Sequence, residues 1–335
     1  MRRDRRALAR LRGDRPPRRP GGDAWLAEGA RPLGPEAALN ITAVIANYGT
    51  PDYTIRSVRA LTGDGLAPER IVVVENGSQD DSLDRLREAI PDSVLLPLEE
   101  NVGFARASNL GARHLPGDAY LFVNSDAFVH RPGSIDALRR ALGDPAVGIA
   151  VPRFLNEDLT LQPKVVPLSS PSVALVRASG LSRFVPNRWQ PRWSTHWDHS
   201  ESREIQAASG VVFLVRDKLW DEVGGFEEGH LMYAEDLDLC WHARNRGWKV
   251  WFVGDSEFVH IGAGATAKHW DSPERAERIG RAEAAMIRRH LRGARGGLTL
   301  GLIRAGVAGR LAFYKATRNR EAAAAMRGSL RGYSA

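Results

Sequence analysis

A single cysteine, Cys240, stands in 335 residues. No intrachain disulfide can form, which excludes a disulfide-stapled secreted domain and fits a reducing compartment. The chain also lacks any uncharged apolar run of about 18 residues, the length that marks a membrane-spanning helix. Its opening residues, MRRDRRALARLRGDRPPRRP, hold no apolar stretch of the kind a secretory signal requires. The expectation is a cytoplasmic protein. The phosphate-cradling GxxxxGK[ST] motif is missing, and no GxGxxG follows the first apolar run, so neither a P-loop nor a dinucleotide fingerprint is present. GxSxG, the nucleophile elbow, is absent as well. With one cysteine there is no CxxC metal framework.

Acidic residues are sparse at both ends of the chain. Residues 1–20 carry a net charge of +7 and residues 266–335 a net of +10, whereas 21–265 carry −10. An acidic body argues against nucleic acid as its ligand and suits a bound cation. Basic ends suit an anionic surface such as the inner face of a cell membrane, or are plain solvated tails. Residues 1–38, rich in Arg, Pro and Gly, read as a disordered tail.

Order is expected from ITAVIANYGT onward. Apolar runs at Ile41–Ala46, Arg70–Ser78, SVLLPL and Ala119–Asp126 read as strands, separated by helical patterns near 51–62, 80–90 and 103–115. Strands alternating with helices predict an α/β fold with a Rossmann-like, mostly parallel sheet flanked by helices, and ligands beyond the carboxyl ends of the strands. Polar residues stand at those ends: Asn47, Glu75 with Asn76, and Asn124-Ser125-Asp126. The stretch 155–205 is irregular, with five prolines and Trp189, Trp193 and Trp197. After it come a strand (Ala207–Arg216), a short helix ended by Gly224-Gly225, the helix of YAEDLDLCWHARNRGW, and two strands, WKVWFV and SEFVHIG. Residues 271–335 read as helices. There Leu300, Ile303, Val307, Leu311 and Tyr314 form one apolar stripe among basic residues, which fits either a helix lying on a membrane or one packed on the domain.

The residues that invite chemistry are mostly acids near strand ends. Asp126 offers a hard oxygen ligand suited to Mg2+ or Mn2+, and is otherwise a turn-forming residue. His260 ends a strand and is either structural or a ligand. His196 and His199, with Asp198 between them, have a metal-ligand spacing but read better as part of a solvated or acceptor-lining loop. Glu235, Asp236 and Asp238 crowd a helix start, where acids usually cap. Asp238 is the expected cap and Gly247 the residue that ends the helix.

The segments VVVENGSQDDS, ENVGFARASNLGARHL and VNSDAFV resemble those of the family 2 glycosyltransferases. The later stretch from ASGVVFLVRDKLW to SEFVHIGAGAT resembles that family's rhamnosyltransferase-like branch. The resemblance spans about residues 40–266 and implies a GT-A fold. With the composition of the two ends, the chain divides into a tail at 1–38, a catalytic domain at 39–268 (nucleotide-sugar half 39–150, acceptor half 151–268), and a basic helical segment at 269–335 that either lies on a membrane or packs on the domain.

By that resemblance, Asn47, Glu75 and Asn76 contact the base and ribose, with Glu75 where the family has Asp. Asn101, Gly103, Phe104, Arg106 and Asn109 flank the donor, together with Asn124 and Asp126. Asp126 and His260 hold the metal. Asp236 is the catalytic base, with Glu235 as pKa neighbour, acceptor contact or further metal acid. A metal at Asp126 would neutralise a diphosphate leaving group, and Asp236 would take the acceptor proton. One base without a second nucleophile implies inversion. The expected donor is dTDP-rhamnose or a UDP-sugar. The expected acceptor is a glycan or polyprenyl-linked glycan in cell-envelope polysaccharide synthesis, reached from the cytoplasm or the inner face of the membrane. The alternatives are a nucleotidyltransferase of similar fold and a non-catalytic nucleotide-sugar-binding module.

Overall fold

The computed structural model describes residues 39–193, 197–229, 234–262 and 272–335; the tail at 1–38 and His196 lie outside them. The first half alternates as the apolar periodicity predicts: β1 (Ile41–Asn47), α1 (Pro51–Gly63), β2 (Ile71–Asn76), α2 (Ser82–Ala89), β3 (Val94–Leu98), α3 (Phe104–His114) and β4 (Ala119–Asn124). β1, β2 and β4 are buried almost throughout, which is why they read as unbroken apolar runs rather than alternating ones. Pro51 opens α1, where a missing N–H costs nothing.

The second half runs β5 (Ala127–Val129), α4 (Ser134–Ala141), β6 (Val147–Leu155), β7 (Val165–Val166), α5 (Pro171–Ser179), α6 (Gln190–Trp193), β8 (Arg203–Ile205), β9 (Ala207–Ala208) and β10 (Val212–Arg216). It continues with α7 (Asp217–Val223), α8 (Glu235–Asn245), β11 (Lys249–His260), α9 (Ser272–His290), α10 (Ala294–Ala316) and α11 (Arg320–Ser334). Among the described residues one mixed sheet has the order β3-β2-β1-β4-β10-β6-β11-β5, with β8 against β11. β3, β2, β1 and β4 are parallel, and β10 inserts antiparallel between β4 and β6. The carboxyl ends of β1, β2 and β4 therefore share one edge.

Several expectations change. Ala207–Arg216 is two strands, not one, because Ser209-Gly210-Val211 breaks the run between β9 and β10. WKVWFV and SEFVHIG are a single strand, β11, carried past Gly254 by an irregularity in its pairing with β6 between Val253 and Glu257. Trp197 belongs to the main core, packed edge-on against Phe252 and stacked on His199, so neither ring lies in a solvated loop. Cys240 is buried in α8, and burial pushes its thiol up to about 12.

The apolar stripe at 300–314 largely faces inward. Leu300 and Val307 are buried in a second core with Ala284, Ile287 and Tyr333, and Ile303 packs against it. No helix among the described residues is long and apolar enough to cross a membrane. Val307→Asp should destabilise the protein by about 3 kcal/mol or more, as burying an unpaired carboxylate does. Leu298→Asp, on the exposed side of the same helix, should stay within about 0.5 kcal/mol. Urea unfolding of both variants checks the orientation of α10.

Candidate active site

The polar residues at the ends of β1 and β2 form one buried network. Asn47 is fully buried. Its side-chain oxygen accepts from Thr54 Oγ1 at 2.8 Å and its amide donates to Glu75 Oε1 at 3.4 Å. Glu75 also accepts from Ser78 N, and Ser78 Oγ accepts from Gly49 N. Asn76 Oδ1 accepts from Val102 N, while its amide donates to Asn101. Asn101 Oδ1 in turn accepts from Gly103 N, at a φ of 85° that suits glycine as α3 begins. These side chains set the shape of the two loops that close the sheet edge. Arg106 projects from the first turn of α3 into solvent. Asn109 points elsewhere: its side chain brackets Phe226, accepting from its N–H and donating to its carbonyl, and also reaches Glu228. It joins α3 to the 226–228 segment.

At the end of β4, Thr50 and Ser125 hydroxyls meet at 3.1 Å, and Asn124 N donates to Val211 O at 2.9 Å. Asp126 follows on the turn into β5. The antiparallel pairing of β5 with β11 sets Ala127 opposite His260. His260 Nε2 thereby lies 3.4 Å from Asp126 Oδ1. Gln162 fixes the ring: its Oε1 lies 2.8 Å from His260 Nδ1, and its own amide donates to His260 O and Asn156 Oδ1. Since a Gln oxygen only accepts, Nδ1 carries a proton and Nε2 is turned to Asp126, as a donor to the carboxylate when the ring is charged and as a lone pair when it is not. Burial opposes ionisation of Asp126. The hydrogen bond and charge of His260, with the Gly262 N–H, outweigh it and hold the carboxyl below its ordinary value. An ionised carboxylate beside a tautomer-fixed imidazole fits a divalent cation.

Asp236 is tied to the same edge from α8. Gly210 N donates to its Oδ2 at 2.6 Å and Leu237 N to its Oδ1 at 2.7 Å. A Cβ on Gly210 would fall 2.6 Å from Asp236 Cβ, so the approach requires glycine. Gly210 adjoins Val211, which is bonded to Asn124, and this chain of contacts sets Asp236 beside the Asn124–Asp126 turn. Loss of solvent raises the Asp236 carboxyl above its ordinary value, against the Gly210 and Leu237 N–H groups and the charge of Lys164. Ala234, immediately before α8, is held at φ 71°, a left-handed conformation that costs an alanine about 1 kcal/mol or more.

Lys164 escapes sequence reasoning. Burial lowers its ammonium, while Asp126 and Asp236 both stabilise the charge. Both acids therefore act on this one ammonium. It lies in the irregular proline-rich stretch, where no periodicity marks it. The usable signal is rarity: five of the chain's 47 basic residues are Lys, and this one abuts an apolar pair.

Asp238 is not a helix cap. It lies one turn inside α8, buried, with Oδ1 2.7 Å from His290 Nε2 and Oδ2 3.3 Å from Arg289 and 3.4 Å from His242 Nε2. A partner 52 residues away thus overrides the local capping preference. Asp238, His242 and His290 bring one ligand atom each within 4.8 Å. Their hydrogen bonding opposes a metal, however. Arg246 lies 3.1 Å from His242 Nδ1 and can only donate, which puts the ring proton on Nε2, facing Asp238. The trio therefore reads as an ion-pair cluster binding α9 to α8. Glu235 opens α8 and lines a small cavity with Glu227, Met286 and Arg289. Gly247, at φ 88°, follows the end of α8 as expected.

Burial works against the Asp238 carboxylate, but His290, His242 and Arg289 together keep it below its ordinary 3.8. Its contribution to stability is therefore complete above that value and is lost as pH falls through the lower folded value. His290→Ala should cost about 1–3 kcal/mol near pH 7. In urea unfolding against pH, the gap from wild type should narrow below about pH 4.

Comparison with known proteins gives the family and the fold. The Glycosyl transferase family 2 profile matches residues 42–223. The N-acetylglucosaminyl-diphospho-decaprenol L-rhamnosyltransferase of Mycobacterium tuberculosis is 30% identical over 243 residues, covering 68% of this chain and 78% of that protein. The O-antigen biosynthesis protein RfbC of Myxococcus xanthus is 22% identical over 231 residues, 66% of this chain and 17% of that one. The mannosyltransferase PcManGT of Pyrobaculum calidifontis, solved with GDP-Man and Mn2+, superposes with a TM-score of 0.55 at 15% identity, over 90% of this chain and 85% of that one, and shares the fold. The chain belongs to glycosyl transferase family 2 and is a rhamnosyltransferase-like glycosyltransferase.

Proposed function

We propose that this enzyme moves a sugar, with inversion, from a nucleotide-diphosphate donor to a hydroxyl of a polyprenyl-diphosphate-linked glycan during cell-envelope polysaccharide synthesis. The observation that carries the reading is the seating of Asp236 on Gly210, beside the turn that bears Asp126. The name of the mycobacterial relative supports rhamnose as the sugar, hence dTDP-rhamnose ahead of a UDP-sugar, and a polyprenyl-linked acceptor.

In this reading Asp236 takes the proton of the acceptor hydroxyl. The acceptor oxygen then bonds to the anomeric carbon as the bond from that carbon to the diphosphate breaks on the opposite face. With one base and no second nucleophile, configuration inverts. Lys164 sets a positive charge toward the departing diphosphate. Asp126 and the Nε2 of His260 would hold Mg2+ or Mn2+, which when bound supplies Lewis-acid neutralisation of the diphosphate. The Mn2+ solved with the mannosyltransferase of like fold supports that assignment. The network of Asn47, Glu75, Asn76, Asn101 and Gly103 shapes the nucleotide loops, Arg106 and Asn124 face the donor, and Glu235 contacts the acceptor. Asn109 acts through the 226–228 segment it holds.

Asp236→Asn should lower turnover about a thousandfold or more while leaving nucleotide-sugar affinity unchanged. Turnover within about tenfold of wild type would remove Asp236 from the role of base. A base must be ionised, so the raised Asp236 carboxyl predicts that kcat/KM falls in acid at a pH above the ordinary carboxylate range of about 4. Lys164 now favours the ionised form. Lys164→Met should therefore move that acid limb to higher pH as well as slow turnover, and an unmoved limb would place Lys164 outside the field of Asp236.

A further inference from the structure

α10 is apolar on two opposite faces, and among the described residues only one of them is covered. At 100° per residue, Leu300, Ile303 and Val307 point one way and pack against α9 and α11. Gly306 rests on Ala178 of α5 at the side. The opposite face carries Leu298, Leu302, Ala305, Gly309, Ala312 and Phe313, with Arg295 the charged side chain on it, in the first turn. Leu298 is 56% exposed and Phe313 62%. A Cβ added at Gly301 or Gly309 would meet nothing within 4 Å. Glycine destabilises a solvated helix relative to alanine, and nothing among the described residues packs there to offset it.

Charge selects what covers this face. α10 contains no Asp or Glu. Arg295 is exposed at the start of this face and Arg310 and Lys315 along its flanks, while Arg304 is tied down on the Tyr333 carbonyl. The apolar surface continues beyond Ala178: α5 exposes Leu175, and the turn after it exposes Leu181 and Phe184, the latter 73% accessible. An apolar face flanked by cations is the pattern of a helix lying in a bilayer interface. Packing α10 on its counterpart in a second copy would bring two acid-free basic helices together, which like-charge repulsion disfavours.

We infer that the exposed face of α10, with Leu181 and Phe184 beside it, docks on an anionic lipid surface. It is the face opposite the stripe that sequence periodicity selects. The inference rests on the packing of α10 and not on the transfer reaction, so it stands or falls apart from Asp236.

The full-length protein is co-sedimented with phosphatidylcholine vesicles, with or without one-third phosphatidylglycerol. The expected result is binding that requires the anionic lipid and weakens in high salt, where surface charge is screened. The double variant Leu298→Asp with Phe313→Asp should bind at least about tenfold more weakly, having lost its apolar contact. Leu159→Asp, at an exposed leucine elsewhere, should bind as wild type. Circular dichroism and an unchanged rate of donor hydrolysis establish that the variants are folded. Three outcomes overturn the inference. Wild type may ignore anionic vesicles. The double variant may bind undiminished, which would assign binding to the Arg-rich tail. Light scattering may show a dimer that the double variant dissolves without vesicle binding in wild type, which would assign the face to a second copy.

Discussion

The hydrogen bond from Gly210 N to the Asp236 carboxylate is the contact on which the site depends. It joins two parts of the chain that the sheet alone would not bring together. Gly210 lies in the break between β9 and β10, and β10 is the antiparallel strand inserted beside β4. That insertion turns the carboxyl end of β4 and the start of α8 toward one place. A longer side chain at 210 would push the acid away, and a continuous strand from 207 to 216 would remove the free N–H. The interruption that defeats a simple strand reading is therefore the feature that positions Asp236, the proposed base.

A second constraint is the choice of histidine tautomer. Two acid–histidine clusters lie near α8, and their composition alone would rank the richer one, Asp238 with His242 and His290, as the metal site. Hydrogen bonding reverses the order. Gln162 accepts from His260 Nδ1 and leaves Nε2 turned to Asp126, whereas Arg246 donates to His242 and turns its proton toward Asp238. On the proposed reading the first cluster takes a cation. The second is held by ion pairs and anchors α9 to α8, the helix that carries Asp236.

Much of this was legible in the sequence, for physical reasons that differ by region. β1 to β4 are buried strands ended by polar residues, so apolar runs and their punctuation locate both the sheet and its ligand-bearing edge. Asp126, His260 and Asp236 were assigned roles through resemblance rather than through spacing, because their proximity arises from strand pairing across more than a hundred residues. Asp238 was misread because capping is a local rule and His290 is a distant partner. Lys164 was invisible because an irregular segment has no period to read. The stripe on α10 fits either a membrane or the domain in the sequence: a helix apolar on two faces has no unique inward side, and the packing of α9 and α11 turns that stripe inward.

The central claim is that Asp126 with His260 and Asp236 together form one transfer site. Crystals grown with Mn2+ and an intact donor analogue, measured at the manganese absorption edge, test it most directly. The account predicts an anomalous peak within coordination distance of Asp126 and His260 Nε2, about 2.0–2.3 Å. It also predicts the Asp236 carboxylate facing the anomeric carbon from the side opposite the diphosphate. A peak instead between Asp238, His242 and His290, or a donor whose anomeric carbon lies out of reach of Asp236, would contradict it.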